Sequence, residues 1–240
     1  MALLGGVGQI MNDRDFDDQR DADDWISVVE SNSGRSRLEE LRPLISALEG
    51  DQVRGHVLDI GCGQGQIRSL FDPKRWTYWG VDPSPYLISR AIELNSEATV
   101  HFIQGSAYSI PFDDAHFSAA ISINVWHLLR DINQAAKEIM RILKPNARFL
   151  IVTAHPDSID LWTQLYQSYQ RQDNGLVGFN VREDGSKSVD ELYFHKANEI
   201  RDVLLENRAS NIAMRPFRIR ESFGPVYLAI SGNKLAASSL

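Results

Sequence analysis

The 240-residue chain carries 43% hydrophobic and 24% charged residues, the composition of an ordinary globular protein with enough length to bury a full core. Its net charge of −7 and pI near 5.4 count against a nucleic-acid footprint, which is built from clustered Lys and Arg, and no stretch has the apolar length of a transmembrane helix. The single cysteine, Cys62, cannot form an intramolecular disulfide and suits a reducing cytoplasm.

The mildly apolar start, Met1 to Ile10, lacks a basic region and a cleavage site, so secretion is not expected. Residues 12 to 24 hold seven aspartates. Asp13, Asp15, Asp17 and Asp24 approximate a calcium-loop spacing, but Asp18 stands where the sharp turn needs glycine and Asp24 where the loop needs Glu. The run reads as a solvated acidic segment, and residues 1–35 as a partly disordered piece or a lid. Trp25, Ile26, Val28 and Val29 then start a short helix. The spacing of apolar residues 38, 41, 44, 45 and 48 predicts a second helix, kinked at Pro43.

Val57, Leu58 and Ile60 predict a buried parallel strand, followed by the turn Gly61-Cys62-Gly63-Gln64-Gly65 into a helix over 66–71. Glycines there let the backbone take positive φ or approach a bound molecule. The dinucleotide fingerprint G-x-G-x-x-G has Gln66 in place of its last glycine, which counts against NAD or FAD. Asp59, just before the loop, can order it and attract a cationic ligand. The small size of Cys62 explains its place in the turn. Strand two, over 77–81, ends in Asp82, at the ~20-residue offset expected of an acid that accepts from ribose hydroxyls. Capping of the helix that begins near Pro83 is the structural alternative.

Strand three spans 100–103 and leads to Gln104-Gly105-Ser106-Ala107. Strand four, over 117–123, is followed by Asn124-Val125-Trp126-His127 at the sheet edge where open parallel sheets bind ligands. A helix over 132–143 and strand five over 148–153 come next. From His155 to His195 the pattern departs from simple alternation. Leu161, Trp162, Leu165, Tyr166 and Tyr169 at helical spacing predict a helical insertion, serving as core or as a lid over an acceptor. A helix over 197–205, an antiparallel pair over 212–219 and 226–231, and a frayed tail complete the chain.

Leu58-Asp59-Ile60-Gly61-Cys62-Gly63-Gln64-Gly65 resembles the first motif of the class I S-adenosylmethionine (SAM)-dependent methyltransferases, of the small-molecule, type 11-like kind. Val81-Asp82-Pro83-Ser84-Pro85-Tyr86-Leu87-Ile88 resembles the family's D-x-S-x-x-M-L stretch, and Leu143-Lys144-Pro145 its turn before strand five. The resemblance covers residues 57–153 well. It implies an α/β doubly wound, mostly parallel seven-stranded sheet in the order 3-2-1-4-5-7-6, with strand seven antiparallel and an inserted helical lid. The domain would run over 36–240, with 155–195 as the acceptor-site insertion.

SAM is the implied cofactor, with Asp59, Gly61, Cys62, Gly63, Gly65 and Asn124 around its methionine part, Asp82 and Pro83 at the ribose, and Ser106 and Ala107 at the adenine. The family has Asp where Ser106 stands, and a pair of histidines where only His127 is present. His127, His155 and His195 are candidate catalytic bases by their proximity to the sheet edge. The implied partner is a small-molecule methyl acceptor, with no nucleic acid, metal or membrane, in the cytoplasm. A non-catalytic SAM-binding subunit and a nucleotide-sugar or NAD enzyme on a similar sheet are the competing classes.

Overall fold

The computed structural model describes residues 19–49, 54–217 and 227–236; most of the aspartate run, the end of the first strand of the final pair and the last four residues lie outside them. Two helices, α1 (Gln19–Glu30) and α2 (Asn32–Glu49), precede the sheet. Asp21, Asp23 and Asp24 are thus helical, with Asp21 in the first turn near the positive end of the helix dipole. Strand β1 (Gly55–Ile60) leads through the glycine turn into a 3-10 segment, Gln66–Leu70, shorter and tighter than the expected helix. Then come β2 (Trp76–Asp82), α3 (Pro85–Leu94), β3 (Val100–Gln104), β4 (Phe117–Ile123), α4 (Ile132–Ile142) and β5 (Leu143–Ala154).

Val57 and Leu58 on β1, and Phe149, Leu150, Ile151 and Val152 on β5, alternate between two cores. One core holds Leu58, Phe149 and Ile151 under Ile139 of α4; the other holds Val57, Leu150 and Val152 under Leu41, Leu44 and Ile45 of α2. A strand covered on both faces has no polar side to present, hence the near-continuous apolar runs in the sequence.

After β5, short helical turns lead into α5 (Ile159–Trp162) and a separate antiparallel sheet of β6 (Ser168–Gln172), β7 (Gly175–Val181) and β8 (Lys187–Tyr193). Helix α6 (Ala197–Glu206), β9 (Ala209–Phe217) and β10 (Tyr227–Lys234) return to the main sheet. That sheet runs β3-β2-β1-β4-β5-β10-β9, with β10 antiparallel to both neighbours, which is the expected order and polarity.

The insertion is mainly a three-stranded sheet, and the expected helical lid is corrected accordingly. Its helical turns stop near Leu165. Beyond it, Asp173 and Asn174 make a two-residue hairpin turn before Gly175, and Leu176 and Leu192 pair across the buried face. Trp162, Tyr166 and Tyr169 match helical spacing, yet Trp162 closes a short helix, Tyr166 covers Gly178, where any Cβ would meet its ring at 2.3 Å, and Tyr169 lies exposed on β6. Among the described residues no helix is long and apolar enough to cross a membrane.

At the opposite end of β1 from the glycine turn, His56 Nδ1 lies 3.1 Å from His116 Nε2. Burial, then the charges of His116, Lys144 and His101, hold the His56 imidazole below its ordinary 6.5. The unfolded chain therefore takes up this proton first: stability is complete above about 6.5 and declines as pH falls from there towards the folded-state value. Urea unfolding between pH 8 and 5 should show that decline, and His56→Asn should make it shallower. An equally steep decline in the variant would assign it to other groups.

Candidate functional site

The C-terminal ends of β1 and β2 are joined by backbone and by one carboxylate. Gly61 N and Cys62 N both donate to Val81 O, at 2.7 and 3.0 Å. Gly63 N donates to Asp82 Oδ2 at 2.8 Å, while Ser84 N donates to Asp82 Oδ1 at 3.0 Å. Asp82 thus fixes the glycine turn to the start of α3, and the cap of that helix is Ser84, whose hydroxyl accepts from Leu87 N. Gly61 sits at φ +73°, and a Cβ there would lie 2.2 Å from Val125 Cγ2. No other residue fits this combination of conformation and clearance.

Asp59 lies in the same place at full burial, 1% exposed. The Tyr78 hydroxyl donates to its Oδ2 at 2.5 Å. Burial raises the Asp59 carboxyl to about 7, against the lowering effect of Tyr78 and with a further rise from the Asp82 charge. Burial likewise drives the Tyr78 hydroxyl and the Cys62 thiol well above their ordinary ranges, so Cys62 is an inert filler of the turn. Tyr78 escapes motif reading, although β1–β2 register carried the signal. Gly80 is the partner of Asp59, and Tyr78, two residues earlier, shares its face.

Four buried oxygens around this turn have no hydrogen-bond partner among the described residues: Asp59 Oδ1, Gln64 Oε1, Gln66 Oε1 and Asn124 Oδ1. Asn124 holds φ +61° after β4, its N–H donating to Val152 O at 2.7 Å. All four are acceptors. Leaving one buried and unpaired costs about 1–3 kcal/mol, so the cluster is matched to a ligand that brings donors or positive charge.

The third wall follows β3. Ser106 Oγ accepts from Tyr108 N at 3.2 Å, and Ala107 is buried. The loop beyond is strapped to α4: Ile110 N donates to Glu138 Oε2 at 2.8 Å, while Arg141 donates to the carbonyls of Ile110 and Phe112. Neither Glu138 nor Arg141 stands out in the sequence, since an i, i+3 charge pair on a helix is commonplace. Pro83 is half-buried beside Asp82.

The three histidines are each held by a local contact. His127 is buried, with Nδ1 3.4 Å from Thr153 Oγ1 and its ring 4.9 Å from that of Trp162. His155 Nδ1 accepts from Asp157 N at 3.2 Å, which places the proton of the neutral ring on Nε2. His195 is buried, and its Nε2 donates to Leu129 O at 2.7 Å, leaving Nδ1 as the basic nitrogen, 3.6 Å from Glu199 Oε1.

Helix α1, within the 1–35 segment expected to be a partly disordered piece or a lid, meets the glycine turn. A Cβ on Gly63 would lie 3.2 Å from Trp25 Nε1, and Gln64 Nε2 donates to Glu30 Oε1 at 3.4 Å. The Trp25-to-Val29 apolar group was the available signal.

Residues 58–151 match the family described as a methyltransferase domain. The fatty-acid O-methyltransferase of Mycolicibacterium smegmatis is 28% identical over 154 residues, covering 61% of this chain and 56% of that protein. The 2-phytyl-1,4-naphtoquinone methyltransferase of Synechococcus elongatus is 32% identical over 131 residues, covering 52% and 54%. The chain therefore spans about half the length of the curated relatives it matches. Among solved structures, a protein of Pyrococcus horikoshii superposes with a TM-score of 0.69 at 24% identity, covering 86% of this chain and 93% of that one. A SAM-dependent methyltransferase of Methanosarcina mazei gives 0.64 at 20% identity, covering 81% and 98%.

Residues 58–151 thus match a methyltransferase domain, on a sheet with the strand order expected of the class I methyltransferase fold, and the comparisons support SAM as the cofactor. The residues present fit that group: its ammonium and hydroxyls would bring donors to the buried oxygens, and its positive charge would suit Asp59 and Asp82.

The raised Asp59 carboxyl gives a stability signature of its own. Because its folded pKa lies above the ordinary 3.8, its contribution is complete below about 3.8 and is lost as pH rises through about 7. Asp59→Asn cannot ionise, so the variant should gain on the wild type by a few kcal/mol, in order of magnitude, between pH 5 and 8. Urea midpoints across that range would show the gap widening. A constant gap would mean that Asp59 ionises at its ordinary pH.

Proposed function

We propose that the protein transfers the methyl group of SAM to a small, largely apolar acceptor. The observation that carries this reading is a set of buried side-chain oxygens around the glycine turn, on Asp59, Gln64, Gln66 and Asn124, that have no hydrogen-bond partner among the described residues. When bound, SAM supplies an electrophilic methyl group on a sulfonium. Asp59, Gly61, Cys62, Gly63, Gly65 and Asn124 would surround its methionine part, Asp82 and Pro83 its ribose, and Ser106 and Ala107 its adenine. Asp82 accepts an N–H on each oxygen, which fixes the carboxylate where a ribose hydroxyl would meet it.

For methyl transfer the chain must mainly position the reactants and exclude water. His127, His155 and His195 stand as candidate acceptor-side bases. Of the three, His195 keeps its basic nitrogen in a buried place, and His155 must release the Asp157 N–H before Nδ1 can take a proton.

We take 36–240 as the methyltransferase domain and 155–195 as its acceptor-side insertion. The relatives named for fatty-acid and naphtoquinone methylation support an apolar acceptor. The lone buried thiol supports a cytoplasmic setting.

Calorimetry should show binding of SAM and S-adenosylhomocysteine but not NAD. Asp82→Ala, losing charge-assisted bonds worth roughly 1.5–3 kcal/mol, should weaken donor binding by at least about tenfold. Comparable NAD affinity, or a folded wild type that ignores SAM, would refute the assignment. S-adenosylhomocysteine release in a screen of fatty acids and quinones would separate an enzyme from a non-catalytic SAM-binding subunit.

A further inference from the structure

Two aspartates of the acidic run, which methyl transfer leaves without a role, converge on one residue of the inserted sheet. Arg182, at the turn between β7 and β8, donates from Nε to Asp24 Oδ2 at 2.7 Å and from Nη2 to Asp21 Oδ1. Its Nη1 is tied back to its own turn, to Ser186 Oγ and Lys187 O, both at 3.3 Å. The pairing is reciprocal, since Arg20 of α1 lies 3.7 Å from Asp184 of the same turn. At the other end of α1, Glu30 accepts from Gln64 in the glycine turn and lies 3.7 Å from Arg90 of α3. Between these ends Trp25 rests against Gly63.

The apolar hold on this helix is slight. Its buried residues are Ala22 and Val29, while Val28 is 51% exposed. An element with few buried contacts opens at a lower free energy than the core, so the polar ties decide how often α1 is seated. The Arg182 side chain is 16% exposed and Asp21 26%, against 51% for Asp24. The clasp is therefore shielded on one side and open to salt on the other.

We propose that Arg182 is a positioning residue that clasps α1 to the inserted sheet, keeping Trp25 over the glycine turn while the donor is bound, and that release of this clasp sets the rate of donor and product exchange. The inference rests on the reading of the glycine turn as the donor site. If only molecules with α1 seated hold the donor tightly, the apparent affinity falls in proportion to the seated fraction.

The test uses the full chain with S-adenosylhomocysteine as probe, following affinity and stopped-flow displacement at low and high salt. Arg182→Gln should weaken binding by about tenfold, mainly through faster dissociation, and should remove most of the salt dependence seen in the wild type. Melting temperature should barely change. The double variant Asp21→Asn, Asp24→Asn attacks the clasp from its other side and should match it. Reversing the charges, Arg182→Glu with Asp21→Arg and Asp24→Arg, should restore slow dissociation, which a purely structural role would not predict. Wild-type binding with Arg182→Gln and the double Asn variant both indistinguishable from it overturns the clasp alone. A folded wild type that binds neither donor nor product overturns the functional reading, and the clasp with it.

Discussion

The carboxylate of Asp82 is the constraint on which the site depends. It ends β2 and accepts from Gly63 and Ser84 at once, so the turn after β1 and the start of α3 are tied to one side chain. The parallel pairing of β1 with β2 makes this possible, because it brings the two strand ends level, with Ile60 opposite Val81. The backbone bonds from Gly61 and Cys62 to Val81 O then lock the turn in the positive-φ path that only glycine follows without strain. The rest of the fold exists around this point as buried support: α2 and the 3-10 segment on one face, α4 and α6 on the other.

This support holds an environment that works against stability. Asp59 is sealed at 1% exposure with one oxygen paired to Tyr78 and the other unpaired, and Asp82 adds a second negative charge close by. Two buried carboxylates and several orphaned amide oxygens would be replaced by apolar residues if stability alone were selected. Their arrangement is intelligible as pre-organisation for a cation with donors. The cost is present before the ligand arrives, and binding relieves it.

The sheet was legible in the sequence because the two-face burial of β1, β4 and β5 leaves apolar runs, and because the glycine turn and Asp82 are local in the chain. What was not legible came from contacts between distant segments. The clasp of Arg182 on Asp21 and Asp24 joins residues 161 and 158 positions apart, and nothing in either segment marks the partnership. The insertion misled for a different reason: Trp162, Tyr166 and Tyr169 fit a helical period, whereas the strand signal lay in Val177, Phe179 and Val181, a period of two flanked and interrupted by Gly175 and Gly178. Ser106, standing where the resembling family has an acid, keeps its hydroxyl within its own turn through Tyr108 N.

If the glycine turn binds a cation beside a protonated Asp59, the proton balance of donor binding is the most direct test. Titrating SAM into the protein near pH 6 in two buffers of different ionisation enthalpy measures the protons exchanged per ligand bound. With the Asp59 carboxyl at about 7, most molecules hold that proton at pH 6, and a bound cation should expel it, giving net proton release that Asp59→Asn abolishes. SAM binding with no proton release, or with the same release in Asp59→Asn, would mean that Asp59 does not face the bound cation.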